Sequence, residues 1–393
     1  DEVFGNDENW VSTLMHSELT YDPGDKFSYV SNGTSALGVV ITKLTGMPMR
    51  QYLNTHLFEK IGIRTDNTNW IMLPDGSELG AGGLHCTTED TLRLMMLYEQ
   101  GGVWNGERLL DEAYVKEATS FQIATISSNR VDKMPSAKTT LPCNTSGYGY
   151  QIWMGDRPHS YAGHGAQGQL GIVYQDKHMV VSLTQIVNGE DGKRRIFECL
   201  NDLADSASDQ PLPEDPETYQ KLLHRLSRLA MPAPKWAPAS ACLPAVNKRH
   251  YRISSGKFTF YPAFEPRERR GTGFTITEGI NSFQFCFSAD LRTCTMSFQE
   301  DGLQRKLNIA LDGSRQPNIL QNPHQIPSEL LMSAYWEHNT LIIHGRWLES
   351  TSEKEARFAF SDDGNTVNIS CKNIVGSMGA FALDSETAAG FAD

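Results

Sequence analysis

Pro23-Gly24-Asp25-Lys26-Phe27-Ser28-Tyr29-Val30-Ser31-Asn32-Gly33-Thr34 begins as a turn, passes through a short aromatic run and ends where a helical pattern starts. Over 34–44 the apolar residues Leu37, Val40, Ile41 and Leu44 recur at i, i+3, i+4 and i+7, the stripe of an amphipathic helix. Gly46 stops that helix, and Pro48 opens a second whose expected buried face is Met49, Tyr52, Leu53, Leu57 and Phe58. Tyr29 and Ser31 set a phenol and a hydroxyl two residues apart in one short loop. A phenol serves as a general base only where cations stabilise the phenolate. The plainer reading makes Ser31 or Asn32 the helix N-cap and Tyr29 a packing residue.

Outward from this stretch the chain alternates helical and strand patterns. Residues 87–90 have the form of a capping motif before a helix over 92–98, which Gly101 and Gly102 close. Residues 109–119 read as a fourth helix. From Tyr148 the runs 148–154, 168–174 and 178–185 read as strands, and 193–204 as a final helix. Residues 1–208 therefore read as part of an α/β (α+β) domain. Residues 209–250 are a Pro-rich linker with a short helix over 219–229 and an extended run over 231–244. Residues 251–393 read as β-rich. Strands are expected at 257–261, 274–278, 282–288, 293–299, 307–311, 340–348, 356–360 and 366–371, with Asp363-Gly364 turning the last hairpin. Short strands at this density predict an all-β sandwich or barrel.

Gly163-His164-Gly165-Ala166-Gln167-Gly168 satisfies G-x-G-x-x-G. A dinucleotide loop needs that motif to open a helix, and here strand-like Gln169-Leu170-Gly171-Ile172-Val173-Tyr174 follows, so the context fails. Small residues at a strand edge instead let a substrate approach the backbone, whose N–H groups can face an oxyanion. His164 beside them is placed to donate to a substrate carboxylate or to the reacting centre. The plain alternative is a glycine-rich turn carrying a surface histidine.

The order Pro23-Gly24 with Phe27 and Tyr29, Leu37-Gly38, Thr45-Gly46, Leu57-Phe58, Ile61-Gly62, Ala81-Gly82-Gly83-Leu84, Trp104 to Leu110, Tyr148 to Trp153 and Gly163 to Gly168 resembles the beta-lactamase-related serine hydrolases. That family includes class C beta-lactamases, penicillin-binding-protein-like D-peptidases, carboxylesterases and nylon-oligomer (aminohexanoate-dimer) hydrolases. Tyr-x-Ser before a helix is nearest to the last branch. The resemblance covers about residues 20–205 and implies a beta-lactamase/transpeptidase-like fold. It also implies hydrolysis of amide or ester bonds through an acyl-serine intermediate, with no cofactor. By position it makes Tyr29 the acid/base and puts Ser31 where Asn is usual. It puts His164-Gly165-Ala166 in the place of the Lys-Thr-Gly strand motif and the Gln167 N–H at the oxyanion. Gly165, Ala166 and Gly83 would line the substrate.

Two departures stand out. Ser31 in place of Asn argues against a dedicated beta-lactamase, because its shorter side chain reaches a substrate amide less well. The family's Ser-x-x-Lys lies well upstream of the tyrosine motif, and the 28 residues before Tyr29 hold none. The one match, Ser254-Ser255-Gly256-Lys257, precedes a strand pattern and reads as a turn, whereas catalysis needs a helix start. Asp1-Glu2-Val3-Phe4-Gly5 is neither a start methionine nor a signal peptide, so the reading takes Asp1 as a cut edge. The expected function is a serine hydrolase lacking its nucleophile-bearing half, with association with that half a further expectation. The alternative is a non-catalytic binding or regulatory module that keeps the cleft.

Composition narrows the partners. Lys+Arg 35 against Asp+Glu 47 gives a net charge of −12 without a basic stripe, a poor match to nucleic acid or anionic membranes. No apolar run approaches the ~18 residues of a membrane span. The seven cysteines are scattered without C-x-x-C, and no H-E-x-x-H occurs among the eleven histidines, so neither a redox pair nor a metal is expected. A reduced, cytoplasmic setting and a small-molecule or short peptide or amide substrate are the expectations. The polar stretch 122–145 is expected near the cleft mouth, and Trp336 and Trp347 are expected in the core rather than in a ligand pocket.

Overall fold

The computed structural model describes residues 9–19, 21–70, 72–73, 75–125, 147–187, 190–208, 210–260, 278–320, 328–348, 353–375 and 385–393. Its contacts divide the chain near residue 212 into two compact units.

The first unit holds helices α1 (Trp10–Met15), α2 (Ser31–Thr45), α3 (Met49–Leu53), α4 (Thr88–Glu99) and α5 (Glu112–Ala118), and a long helix Glu190–Ser206. Two small hairpins, β1 (Asn69–Trp70) with β2 (Leu84–His85) and β3 (Val103–Trp104) with β4 (Glu107–Arg108), lie between them. The centre is an antiparallel sheet in the order β5 (Trp153–Met154), β6 (Ser160–His164), β7 (Leu170–Tyr174), β8 (Met179–Leu183). Every residue of β7 is buried because both faces of the sheet are covered. Leu170, Ile172 and Tyr174 pack with Phe197, Leu200 and Ala204 of the long helix. On the opposite face Tyr161 and Val173 pack with Met95 of α4. Gly163 pairs with Gly171, and a Cβ on Gly171 would lie 2.6 Å from Met95 Cγ, so the absent side chain lets α4 approach.

Helix α4 starts on the expected capping box: Thr87 Oγ1 accepts the Asp90 N–H, and Asp90 accepts the Thr87 N–H. Helix α2 ends at Gly46 in the left-handed conformation, φ +71. Its orientation corrects the stripe reading. Leu37, Val40 and Leu44 are exposed, while Asn32, Ser35 and Gly38 are buried. Small residues win that face because α2 is approached closely. A Cβ on Gly80 would sit 2.9 Å from Ser35 Cα, and one on Gly38 would sit 2.9 Å from Met49 Sδ. The helix start is corrected too: Val30 occupies the cap position with extended backbone and no side-chain cap, so neither Ser31 nor Asn32 caps it.

The second unit carries a helix Pro216–Leu226, with every residue exposed, and a nine-stranded closed barrel. The strands are β9 (His250–Gly256), β10 (Ile280–Phe287), β11 (Thr293–Glu300), β12 (Leu303–Ala310), β13 (Gln316–Leu320), β14 (Ser328–Glu337), β15 (Thr340–Trp347), β16 (Glu353–Phe360), β17 (Thr366–Val375) and β18 (Ser385–Ala392). The order β12-β11-β10-β9-β18-β17-β16-β15-β14 closes where Ala310 of β12 pairs in parallel with Ser333 of β14, and β13 adds to β14 as a tenth strand. Inward residues alternate along β10, β11 and β16, and Phe283, Phe285, Phe298 and Phe358 form one buried aromatic cluster. Trp336 and Trp347 belong to that core.

Strands β6, β9, β13, β14 and β18 were not among those expected from the sequence, and 257–260 forms no strand. Residues 274–277 of an expected strand, and 126–145 of the stretch expected at the cleft mouth, lie outside the described residues. Among the described residues no helix is long and apolar enough to cross a membrane.

Candidate active site

Tyr29 lies in the extended segment leading into α2 and is 42% exposed, so it is not a packing residue of the core. Its ring is held from the side. It stacks on Trp153 at 5.9 Å and 12°, and meets Tyr148 edge-on at 6.4 Å and 78°. Phe27 packs on the same pair, 4.9 Å from Tyr148 and 5.8 Å from Trp153. This aromatic cluster holds the ring while the residue stays partly open to solvent. Lys26, the nearest cation in sequence, sits over the Tyr21 ring at 4.4 Å instead.

Trp153 is also the link to the glycine-rich motif. It pairs with Ala162 on β6, two residues before His164. The Tyr29 ring thus packs on β5, the edge strand paired with β6, and β6 ends in His164 before Gly165-Ala166. Beyond His164 the chain makes a 3₁₀ turn, Ala166–Gly168. Gly165 N–H donates to Gln169 C=O at 2.8 Å, and Gly168 N–H to Gly165 C=O at 3.3 Å. Gly168 adopts φ +91, and Gln185 Nε2 donates to its carbonyl at 2.6 Å. Gln169 Nε2 donates to Gln185 C=O at 2.5 Å in return. The turn bearing the Gln167 N–H is therefore clamped to the end of β8 from both sides. Nothing in the motif signals Gln185, which the sequence reading missed.

His164 follows Ala162 onto the face covered by the long helix. Its ring meets Phe197 edge-on at 6.0 Å, and among the described residues its buried Nε2 has no hydrogen-bond partner. It lines a small cavity with Gly168, Leu170, Gln185, Lys193, Ile196 and Phe197. Burial, with the Lys193 charge adding to it, lowers the imidazole to about 4, so it is neutral at pH 7.

Ser31 is the first residue of α2, and Ser35 one turn later accepts the Ala81 N–H at 3.1 Å. That bond ties the loop carrying Gly83, at φ +74, to the start of the same helix. Trp70 Nε1 braces the loop from the other side by donating to Leu79 C=O and Gly82 C=O at 2.9 and 3.0 Å. Tyr148 is pushed above the ordinary phenol range by burial and by the neighbouring Tyr29, so it stays protonated and available as a donor. Its hydroxyl reaches Gln151 Oε1 at 3.3 Å, and Thr34 Oγ1 reaches the same atom at 3.4 Å. Gln151 lies inside the run Tyr148 to Trp153 that carries the resemblance, which gives it no role. Ser254 and Ser255 lie in β9, and Gly256 ends it at φ +76, so that Ser-x-x-Lys starts no helix. Among the described residues no group of three or more His, Cys, Asp or Glu is placed to hold a metal.

The profile of the family described as Beta-lactamase matches residues 1–198. A 6-aminohexanoate-dimer hydrolase of Paenarthrobacter ureafaciens is 29% identical over 91 residues, which is 23% of this chain and 23% of that protein. A structure from Bacillus anthracis assigned as a 6-aminohexanoate-dimer hydrolase aligns at TM-score 0.38 and 18% identity, over 56% of this chain and 50% of that one. Fatty-acid-binding protein 1 of Echinococcus granulosus aligns at TM-score 0.26 and 9% identity, over 38% of this chain and 98% of that one. The chain thus spans 23% of the length of the curated relative and half the length of the Bacillus structure.

Proposed function

The chain belongs to the beta-lactamase family, and from that premise we propose that its first unit supplies the proton-transfer and oxyanion side of an acyl-transfer site for amide or ester bonds. The observation that carries this reading is the exposed phenol of Tyr29, fixed on Trp153 of β5, the strand paired with the one that ends in His164 before Gly165-Ala166.

In this reading a serine hydroxyl attacks the substrate carbonyl while the Tyr29 phenolate takes its proton. The carbonyl oxygen becomes an oxyanion facing the Gln167 N–H. Collapse expels the amine or alcohol, which receives the proton back from Tyr29 and leaves an acyl-serine. Water then attacks, with Tyr29 again passing the proton, and the acid is released. Gly165, Ala166 and Gly83 keep the walls low enough for substrate to lie against backbone, and Ser31 contacts it from the start of α2. His164, neutral and set against Phe197, holds the strand end and brings no charge to the phenol. The cation that stabilises the phenolate, and the serine itself, belong to a Ser-x-x-Lys segment outside residues 1–393. Secondary amides such as the 6-aminohexanoate dimer named for the Paenarthrobacter relative are the leading substrate class.

The test compares residues 1–393 with the same chain extended by its upstream coding sequence, on nitrophenyl esters and a chromogenic beta-lactam. The extended chain is expected to give a burst of product and the shorter one none. Equal burst amplitudes would overturn the placement of the nucleophile. A second reading is a binding or regulatory module that keeps the cleft, since Ser254-Ser255-Gly256-Lys257 runs out of a strand and starts no helix. Mass spectrometry after a serine-reactive phosphonate separates the two: no label on any upstream serine favours the module.

A further inference from the structure

Residues 147–154, which lead into β5, are held by several backbone contacts. Tyr148 N–H donates to Ile123 C=O at 2.9 Å, Tyr150 N–H to Ala118 C=O at 3.0 Å, and Met154 N–H to Gly147 C=O at 3.0 Å. A Cβ on Gly149 would lie 2.1 Å from Ala118 O, and one on Gly147 would lie 2.4 Å from the Phe121 ring. Within this frame Gly149 N–H donates to Ile152 C=O at 2.8 Å, and Gln151 is forced to φ +63. Left-handed backbone disfavours any residue with a Cβ. Two other such residues, Asn105 and Asp301, each precede a glycine in a two-residue hairpin turn. Gln151 stands in the tight turn between the bridged residues Tyr148 and Trp153, and buried Ile152, not a glycine, follows it.

The side chain stands at the same place as the strain. Oε1 meets the hydroxyls of Tyr148 and Thr34, the first a ring neighbour of Tyr29 and the second on the first turn of α2. Gln151 is exposed, and among the described residues Nε2 has no partner. Both contacts to Oε1 are long, which suits a group that tightens when a ligand joins it.

We propose that Gln151 is a substrate-binding residue that donates from Nε2 to the carbonyl oxygen of a substrate amide lying beside Tyr29. It supplies the amide donor that the short side chain of Ser31 does not. The strain at φ +63 is kept because the position needs a long amide, where glycine would fit without cost. This assignment rests on the reading of the Tyr29 cleft as the substrate site.

The experiment titrates the linear 6-aminohexanoate dimer into the full chain by calorimetry and compares wild type with Gln151→Gly, Gln151→Asn and Tyr29→Phe. Gln151→Gly is expected to melt at the same temperature as wild type or higher. It is expected to bind the dimer about fivefold more weakly, the worth of one neutral hydrogen bond. Gln151→Asn, which tolerates the backbone and keeps a shorter amide, should fall between. Binding by Gln151→Gly within twofold of wild type, a lower melting temperature in that variant, or no saturable binding by wild type would each overturn the proposal. Tyr29→Phe separates the two readings. If it leaves hydrolysis by the upstream-extended chain unchanged while Gln151→Gly weakens binding, the acid/base reading fails and the assignment of Gln151 stands.

Discussion

In the barrel, pattern and burial coincide. Along β10, Phe283, Phe285 and Phe287 are buried, Cys286 is exposed and Gln284 is only partly covered. Along β16, Ala356, Phe358 and Phe360 are buried and Ala359 is exposed. Helix α2 of the first unit does the reverse, burying Asn32, Ser35 and Gly38 and exposing Leu37, Val40 and Leu44. A barrel closes on itself, so its apolar face has one place to go. An amphipathic helix has two faces, and the face that packs is the one that neighbouring backbone can approach. In α2 that is the small-residue face, under the loop containing Gly80 and Ala81.

The contrast is breakable. The largest effect is expected in the barrel, where Phe358 lies within 5.2–5.6 Å of the rings of Phe258, Phe283 and Phe285. Phe358→Ala should cost about 3–5 kcal/mol in a urea titration monitored on the second unit. A cost under about 1 kcal/mol would mean that the aromatic cluster is not what holds the barrel. In α2, Ser35→Ala removes the acceptor of the Ala81 N–H and should cost about 1–3 kcal/mol, read from the thermal melt of the first unit. Leu44→Gln, on the exposed apolar stripe, should stay within about 0.5 kcal/mol of wild type. If Leu44→Gln proves the more damaging of the two, the helix packs by its stripe after all.

A subtler effect concerns acid. The folded chain keeps His164 unprotonated down to about pH 4, whereas an unfolded histidine takes its proton near 6.5. Unfolding between those values therefore takes up a proton. The stability contributed by this burial is complete above pH 6.5 and is lost as pH falls toward 4. His164→Phe should remove that part of the acid slope. Melting curves at pH 7, 5.5 and 4.5 that run parallel for wild type and variant would contradict the buried, neutral assignment.

What the sequence revealed follows the same division. The strands β10, β11, β15, β16 and β17 were visible from alternation, with ends off by a few residues. Strand β14 was not, because Leu330, Met332, Ala334 and Trp336 face the core while Ser333 and Tyr335 are buried as well, so the period of two is erased. Strand β18 is too rich in small residues to stand out, and β9 reads as polar through Ser254 and Ser255. The catalytic candidates were visible as motif positions, since Tyr29, Ser31 and His164-Gly165-Ala166 sit at element ends with recognisable spacing. Their support was not. Trp153, Gln151, Gln169 and Gln185 act through contacts between segments distant in sequence, and the run Tyr148 to Trp153, though part of the resemblance, assigns the first two no role. His164 was visible by type but not by environment, because only the long helix, with Phe197 and Lys193, makes it buried and neutral.

The central claim is that Tyr29 moves the proton in acyl transfer. The most direct measurement is the pre-steady-state burst of nitrophenol from the upstream-extended chain and from its Tyr29→Phe variant. Loss of the hydroxyl should slow the burst by about a hundredfold or more. The melting temperature should stay unchanged, because the ring that stacks on Trp153 is retained. A burst of undiminished rate in Tyr29→Phe would contradict the account.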